Sequence, residues 1–97
     1  MFTANDYALV RKNKFHVMNE TVFYVEIISP RTKHCWIIYK HGSPDSYPVW
    51  LYHKHKKTDQ CYHLHKKTRS VYSAVREIHS HDQYQLNGRK RIFDNFC

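Results

Sequence analysis

The sequence predicts an α+β domain, an antiparallel β-meander of about four strands with one C-terminal helix packed on one face. A hydrophobic content of 41% with 15% aromatic residues indicates that the 97-residue chain folds. Four segments rich in β-branched and aromatic residues are separated by turns, and a later segment repeats apolar residues at helical spacing. Only 2 Gly and 3 Pro are present, so no linker is evident and we predict one small basic domain over residues 1–97.

The first twenty residues suit two short elements. Residues 6–12 favour one or two helical turns, because Tyr7, Val10 and Arg11 would share a face. Residues 15–18 suit a short strand.

The next elements are predicted strands. Residues 21–29 are rich in β-branched and aromatic side chains and end at Pro30. Residues 34–40 follow after a short turn, so the two strands should form an antiparallel hairpin. A loop at residues 42–46 separates them from residues 49–54 and 61–66, which predict a second hairpin.

The last predicted element is an amphipathic helix. Thr68 or Ser70 can cap its N-terminus. Apolar residues follow with i, i+3, i+4, i+7 spacing, at Val71, Ala74, Val75 and Ile78. The pattern fades by Gln83, and Gly88 can end the helix. One such helix covers one face of the sheet, so the other stays open unless the N-terminal segment or a second subunit covers it.

Three His-X-His pairs stand at residues 53–55, 63–65 and 79–81. The first two lie on paired strands, where the register decides which side chains share a face. Pairing Lys56 with Cys61 creates an apolar face of Val49, Leu51, Tyr62 and Leu64. The opposite face then holds Trp50, Tyr52, Lys54, Lys56, Cys61, His63, His65 and Lys67. We favour this register over the alternative, which pairs His53 with His63, because it separates apolar from charged residues better.

The histidine pairs do not predict a metal site. The alternative register would group His53, His55, Cys61, His63 and His65, and zinc accepts such ligands. Neighbouring Lys54 and Lys56 would repel a cation, however. His79 and His81 lie about 200° apart on the helix and cannot chelate one ion together, so they receive no role. We therefore predict no metal and no cofactor, and keep metal binding as a less favoured alternative function.

Catalytic motifs are missing from the sequence. It has no nucleophile motif, phosphate-binding loop or paired carboxylates, so we predict that the protein is not an enzyme and identify no small-molecule substrate. A less favoured alternative is metal-independent cleavage of RNA by His63 and His65 with Lys54.

The charge of the chain points to an anionic partner. The net charge is +8, and a strongly basic small domain is typical of nucleic-acid binding. We expect DNA or RNA to bind a cationic, aromatic-containing hairpin and the open sheet face. The candidate residues are Trp50, Tyr52, Lys54, Lys56, Lys57, His63, His65, Lys66, Lys67 and Arg69. The alternative is a protein-interaction or homodimerising module that uses the same open face.

The cysteines and apolar segments bear on the compartment. Three widely spaced cysteines argue against a disulfide framework. No signal peptide is evident at the N-terminus, and no stretch approaches about 18 apolar residues. We expect a cytoplasmic protein without a membrane partner.

Overall fold

The fold is a five-stranded antiparallel meander with a helix at each end. The computed structural model describes residues 1–41 and 46–87. The elements in chain order are α1 (Ala4–Lys12), β1 (His16–Glu20), β2 (Tyr24–Ile28), β3 (Cys35–Lys40), β4 (Val49–Lys54), β5 (His63–Thr68) and α2 (Val71–Leu86). The α+β meander with a C-terminal helix on the sheet is thus confirmed, with one strand more than the four predicted. Most of the predicted 42–46 loop, and Gly88, lie outside the described residues.

The N-terminal segment forms both of its candidate elements. A capping box starts α1, because the Thr3 side chain accepts from the backbone N–H of Asp6 while the Asp6 carboxylate accepts from that of Thr3. The following Phe15 is buried in the core, and β1 begins one residue later.

Helix α2 confirms the predicted apolar stripe. The Ser70 side chain caps it by accepting from the backbone N–H of Ser73. The buried residues are Val71, Ala74, Val75, Ile78 and, one turn later, Asp82. The helix runs to Leu86, beyond the point at Gln83 where the pattern fades. Neither described helix has the length and apolarity needed to span a membrane.

Both helices pack on the same face of the sheet. Alternate strand residues on that face are buried against them, namely Val25, Ile27, Trp36, Ile38, Val49 and Leu51. Val10 of α1 joins this core, and α1 also contacts α2. Among the described residues, no element covers the opposite face, which we call the open face.

The β4–β5 hairpin combines the two registers that the sequence allows. Near its base Leu51 pairs with Lys66, as in the favoured register. Near its tip His53 pairs with His63, as in the alternative. The shift leaves His65 as an extra residue, which is a β-bulge.

The bulge corrects part of the predicted face assignment. Val49 and Leu51 do face the helices. Beyond the bulge, however, Tyr62 and Leu64 lie on the open face, while His63 and His65 lie on the helix side. The prediction was wrong for these four residues because one inserted residue reverses the alternation of side chains.

Candidate functional site

The open face carries a hollow lined by tyrosines. Its volume is about 320 Å³, and its walls are Tyr24, Ile37, Tyr39, Tyr52 and Tyr62. Strand pairing aligns Tyr24 with Tyr39 and Ile37 with Tyr52, which places these side chains side by side across β2, β3 and β4. Only Tyr52 of this group belongs to the predicted site.

Tyr62 is held at the edge of the hollow by an acidic neighbour. Its hydroxyl donates to Glu26 over 2.8 Å. Burial, followed by this contact with Glu26, raises the pKa of Tyr62 above its usual range. The side chain is therefore a neutral phenol with a fixed orientation.

Lysines flank the tyrosines on the open face. Lys54 Nζ lies 4.6 Å from the centre of the Tyr62 ring and donates to the Asp59 carbonyl over 3.1 Å. Lys67 Nζ lies 4.4 Å from the centre of the Trp50 ring. Both contacts are of the cation–π type and keep the ammonium groups beside the aromatic surface.

Contacts within the protein restrain the Trp50 side chain, which the sequence predicts to be an accessible base-binding residue. His41 stacks on its ring at 4.5 Å between centroids, and its indole N–H donates to the Tyr47 carbonyl over 3.0 Å. The side chain is half-buried. The four tyrosines of the hollow are also half-buried, so they present four rings where Trp50 presents one.

The other predicted site residues are distributed over three places. Lys56 and Lys57 line a second hollow of about 470 Å³ beside the β2–β3 turn. Its remaining walls are Ile28, Thr32, Lys33, His34 and His55. Arg69 lies 5.7 Å above the Tyr47 ring. His63 contacts His53 on the helix side.

His65 and Lys66 contact α2 and not the open face. The Oε2 atom of Glu77 lies 3.0 Å from His65 Nε2, and its Oε1 atom lies 3.4 Å from Lys66 Nζ. Burial alone would raise the pKa of Glu77, but the contacts with His65 and Lys66 hold it below its usual value. These two side chains are thus paired with Glu77, and the Lys66 side chain is itself exposed.

Six imidazoles form a second candidate site on the helix side, which we call the histidine cluster. Its members are His34, His53, His55, His63, His65 and His81. The buried ring of His53 lies at its centre, between 4.6 and 5.7 Å from each of the other five rings, measured between centroids. Trp36 closes the cluster toward the core, 4.1 Å from His53.

Three members of the histidine cluster bring nitrogen atoms close together. One nitrogen from each of His34, His53 and His81 lies within 4.8 Å of the others. Nδ1 of His34 and Nε2 of His53 are 2.9 Å apart, so one donates to the other. The buried Nδ1 of His81 has no hydrogen-bond partner among the described residues.

A buried carboxylate positions this group. Asp82 accepts hydrogen bonds from the hydroxyls of Ser29 and, over 2.9 Å, Thr32. Ser29 and Thr32 belong to the β2–β3 turn, and Lys33 completes that turn with a left-handed φ of 64°. The turn is therefore fastened to α2 next to His81, and His34 follows directly.

The cluster keeps its inner histidines neutral. Burial, then the neighbouring imidazoles, lowers the pKa of His53 from 6.5 to about 2. Burial also lowers the pKa of His81 to about 4, with further contributions from His34 and His65, although Asp82 opposes the shift. A neutral imidazole is the form that ligates metals.

The less favoured register grouped His53, His55, His63 and His65, as the structure does, but sequence reasoning missed His34 and His81. It correctly separated His79 from His81: His79 is exposed and contacts Asn13 and Phe15 instead. It did not consider that His81 could meet histidines from other elements. The signal in the sequence that could have revealed this meeting was His34, which lies at the turn before β3. The neighbouring strand β4 carries His53.

Comparisons of the chain with protein-family models, with curated proteins and with solved structures find no match. The function is accordingly inferred from this chain's own geometry.

Proposed function

We propose that the protein is a non-enzymatic cytoplasmic domain that binds single-stranded nucleic acid on the open face. The observation that carries this proposal is the tyrosine-lined hollow on an uncovered sheet, flanked by Lys54 and Lys67. Tyrosine rings supply stacking surfaces for bases, and the lysines supply charge for phosphates.

The aromatic surface favours an unpaired strand. In a duplex the faces of the bases are stacked on one another, whereas in a single strand they can turn outward onto protein side chains. Tyr24, Tyr39 and Tyr52 lie on three adjacent strands and so form a continuous surface. Stacking on aromatic side chains contributes about 1–3 kcal/mol per base and tolerates any sequence.

The charge distribution supports the same proposal. Lys54 and Lys67 lie over the Tyr62 and Trp50 rings of the open face, and Lys56 and Lys57 line the basic hollow beside the β2–β3 turn. If about four phosphates are neutralised on a single strand, the slope of log K against log salt is about −3. The affinity is therefore expected to fall steeply with ionic strength.

The test is fluorescence anisotropy with labelled single-stranded DNA and RNA at about 50 and 200 mM salt. Tyr52→Ala should weaken binding by about 5- to 150-fold, which corresponds to one lost stacked base. Tyr72→Ala is the matched control, because Tyr72 is 56% exposed on α2, away from the open face. A lack of binding at low salt, or equal losses in the two variants, would overturn the proposal.

A protein partner or a second copy on the open face is the alternative function. The half-buried tyrosines, together with the 43% exposed Leu64 on the same face, favour it, because tyrosine and apolar side chains are common in interface cores. Sedimentation analysis at micromolar concentration separates the two. A dimer that Tyr52→Ala dissociates supports this alternative, whereas a monomer that binds oligonucleotides supports the first proposal.

A further inference from the structure

The histidine cluster has a chemistry that nucleic-acid binding on the open face does not use. We propose that His34, His53 and His81 form a binding site for one divalent transition-metal ion, for which Zn²⁺ is the probe. The inference is independent of the proposed function, because these residues lie on the helix side of the sheet.

The donor set fits zinc. Imidazole nitrogens are preferred ligands of zinc, copper and nickel, whereas magnesium and calcium prefer oxygen. Three histidines leave the fourth position of a tetrahedral zinc for water or a small ligand. The site is thus of the open kind and not of the closed structural kind.

The spacing of the nitrogens is close to what such an ion requires. With zinc–nitrogen bonds of about 2.0–2.1 Å, ligands of a tetrahedral site lie about 3.3 Å apart. His34 and His53 already approach to 2.9 Å, and all three donor atoms lie within 4.8 Å of one another. Binding of the ion would replace the His34–His53 hydrogen bond and draw together the nitrogens that are now up to 4.8 Å apart.

The surroundings support the site in two ways. His81 Nδ1 is buried without a hydrogen-bond partner among the described residues. Coordination of a metal ion by the His81 ring would offset the energetic cost of this missing hydrogen bond. Asp82 fastens the turn that precedes His34 to α2 beside His81, which keeps these two ligands near each other.

The objection from neighbouring lysines no longer applies to Lys54, although Lys56 lines a hollow together with His34 and His55. Lys54 lies on the open face over Tyr62, with its ammonium group bound to the Asp59 carbonyl. It therefore lies on the other side of the sheet from His53. Glu77 and Asp82 lie beside the cluster, and their charge favours a cation. Their charge offsets the repulsion from Lys33, Lys56 and Lys57, which line the hollow next to His34.

The first experiment is calorimetric titration of untagged protein with Zn²⁺. We expect one ion per chain with a dissociation constant of about 10 µM or tighter. His81→Gln should weaken binding at least about tenfold. His79→Gln is the control, because this exposed histidine lies two residues away on the same helix and outside the cluster. Equal affinities in the two variants, or binding weaker than about 100 µM in the parent protein, would overturn the proposal.

A second measurement keeps the inference testable if His53 or His81 variants fold poorly. His34→Asn changes a partly buried ligand that lies outside the helices and strands, and circular dichroism checks its fold. In the parent protein, Co²⁺ should produce the intense visible absorption of a tetrahedral site. This absorption should be absent when Co²⁺ is added to His34→Asn. An octahedral spectrum, or one unchanged by His34→Asn, contradicts the site. Tyr52→Ala should leave Zn²⁺ binding unchanged whatever its effect on oligonucleotides.

Discussion

Acid should destabilise the metal-free protein through the buried imidazole of His53. The pKa of His53 is about 2 in the folded protein and 6.5 in its ordinary state, so at intermediate pH the unfolded chain binds a proton that the folded chain excludes. The stability contributed by the neutral ring is present above pH 6.5 and is lost as the pH falls toward about 2.

The expected magnitude follows from the linkage relation. Each pH unit between the two pKa values is worth about 1.4 kcal/mol, so His53 alone should lower the free energy of unfolding by about 2.7 kcal/mol at about pH 4.5. His81 contributes in the same direction until its folded pKa of about 4. For a domain whose total stability is about 5–15 kcal/mol, this loss is large.

The measurement is urea unfolding, followed by circular dichroism, at several pH values from about 7.5 to 4.5 in the presence of a chelator. His53→Leu should reduce the pH dependence by about one bound proton, because the variant has no imidazole to titrate at this position. His79→Gln should retain the full dependence. A parent protein whose stability is constant over this range, or a His53→Leu variant with an undiminished slope, would refute the reasoning.

Three further substitutions test the packing of the sheet against α2, each by urea unfolding at neutral pH. Asp82→Ala should reduce stability by about 2–4 kcal/mol, because two hydroxyl groups of the β2–β3 turn lose a charged acceptor; a loss below about 0.5 kcal/mol would show that the turn does not depend on it. Leu51→Ala should lower the free energy of unfolding by about 2–5 kcal/mol, since the side chain is fully buried. Leu64→Ala, at an exposed position on the paired strand, should lower it by less than about 1 kcal/mol. Equal losses of stability in the two variants would contradict the register. Ser70→Ala should cost about 1 kcal/mol through loss of the N-cap, while Ser80→Ala on the exposed side of α2 should change stability by about 0.5 kcal/mol or less.

Local periodicity explains why much of the fold was predictable. The α2 stripe and the alternation in β2, β3 and the base of the β4–β5 hairpin are repeated patterns that a few residues suffice to reveal. The bulge at His65 is different. A single extra residue leaves no local pattern, and its place is decided by which side chains fit under α2.

The group of His34, His53 and His81 was harder to predict because its members come from three separate parts of the chain. His34 follows a turn, His53 lies on β4 and His81 lies on α2. The His-X-His spacing directs attention to neighbours in sequence, whereas the closest nitrogens belong to residues 19 positions apart. The tyrosine hollow was hard to predict for the same reason, because its four rings come from separate segments of the chain that the fold brings together.

The bulges also bear on how the sheet avoids aggregation. In the part of the chain that the structure describes, β1 and β5 are the edge strands, and each carries an irregularity, after Val17 and after Leu64 respectively. A bulged edge is a poor template for another strand, and the exposed Lys66 and Lys67 on β5 add charge that opposes such pairing. Self-association through continuous intermolecular sheets is therefore disfavoured at both edges. A second copy on the open face would therefore contact it through side chains and not through backbone pairing.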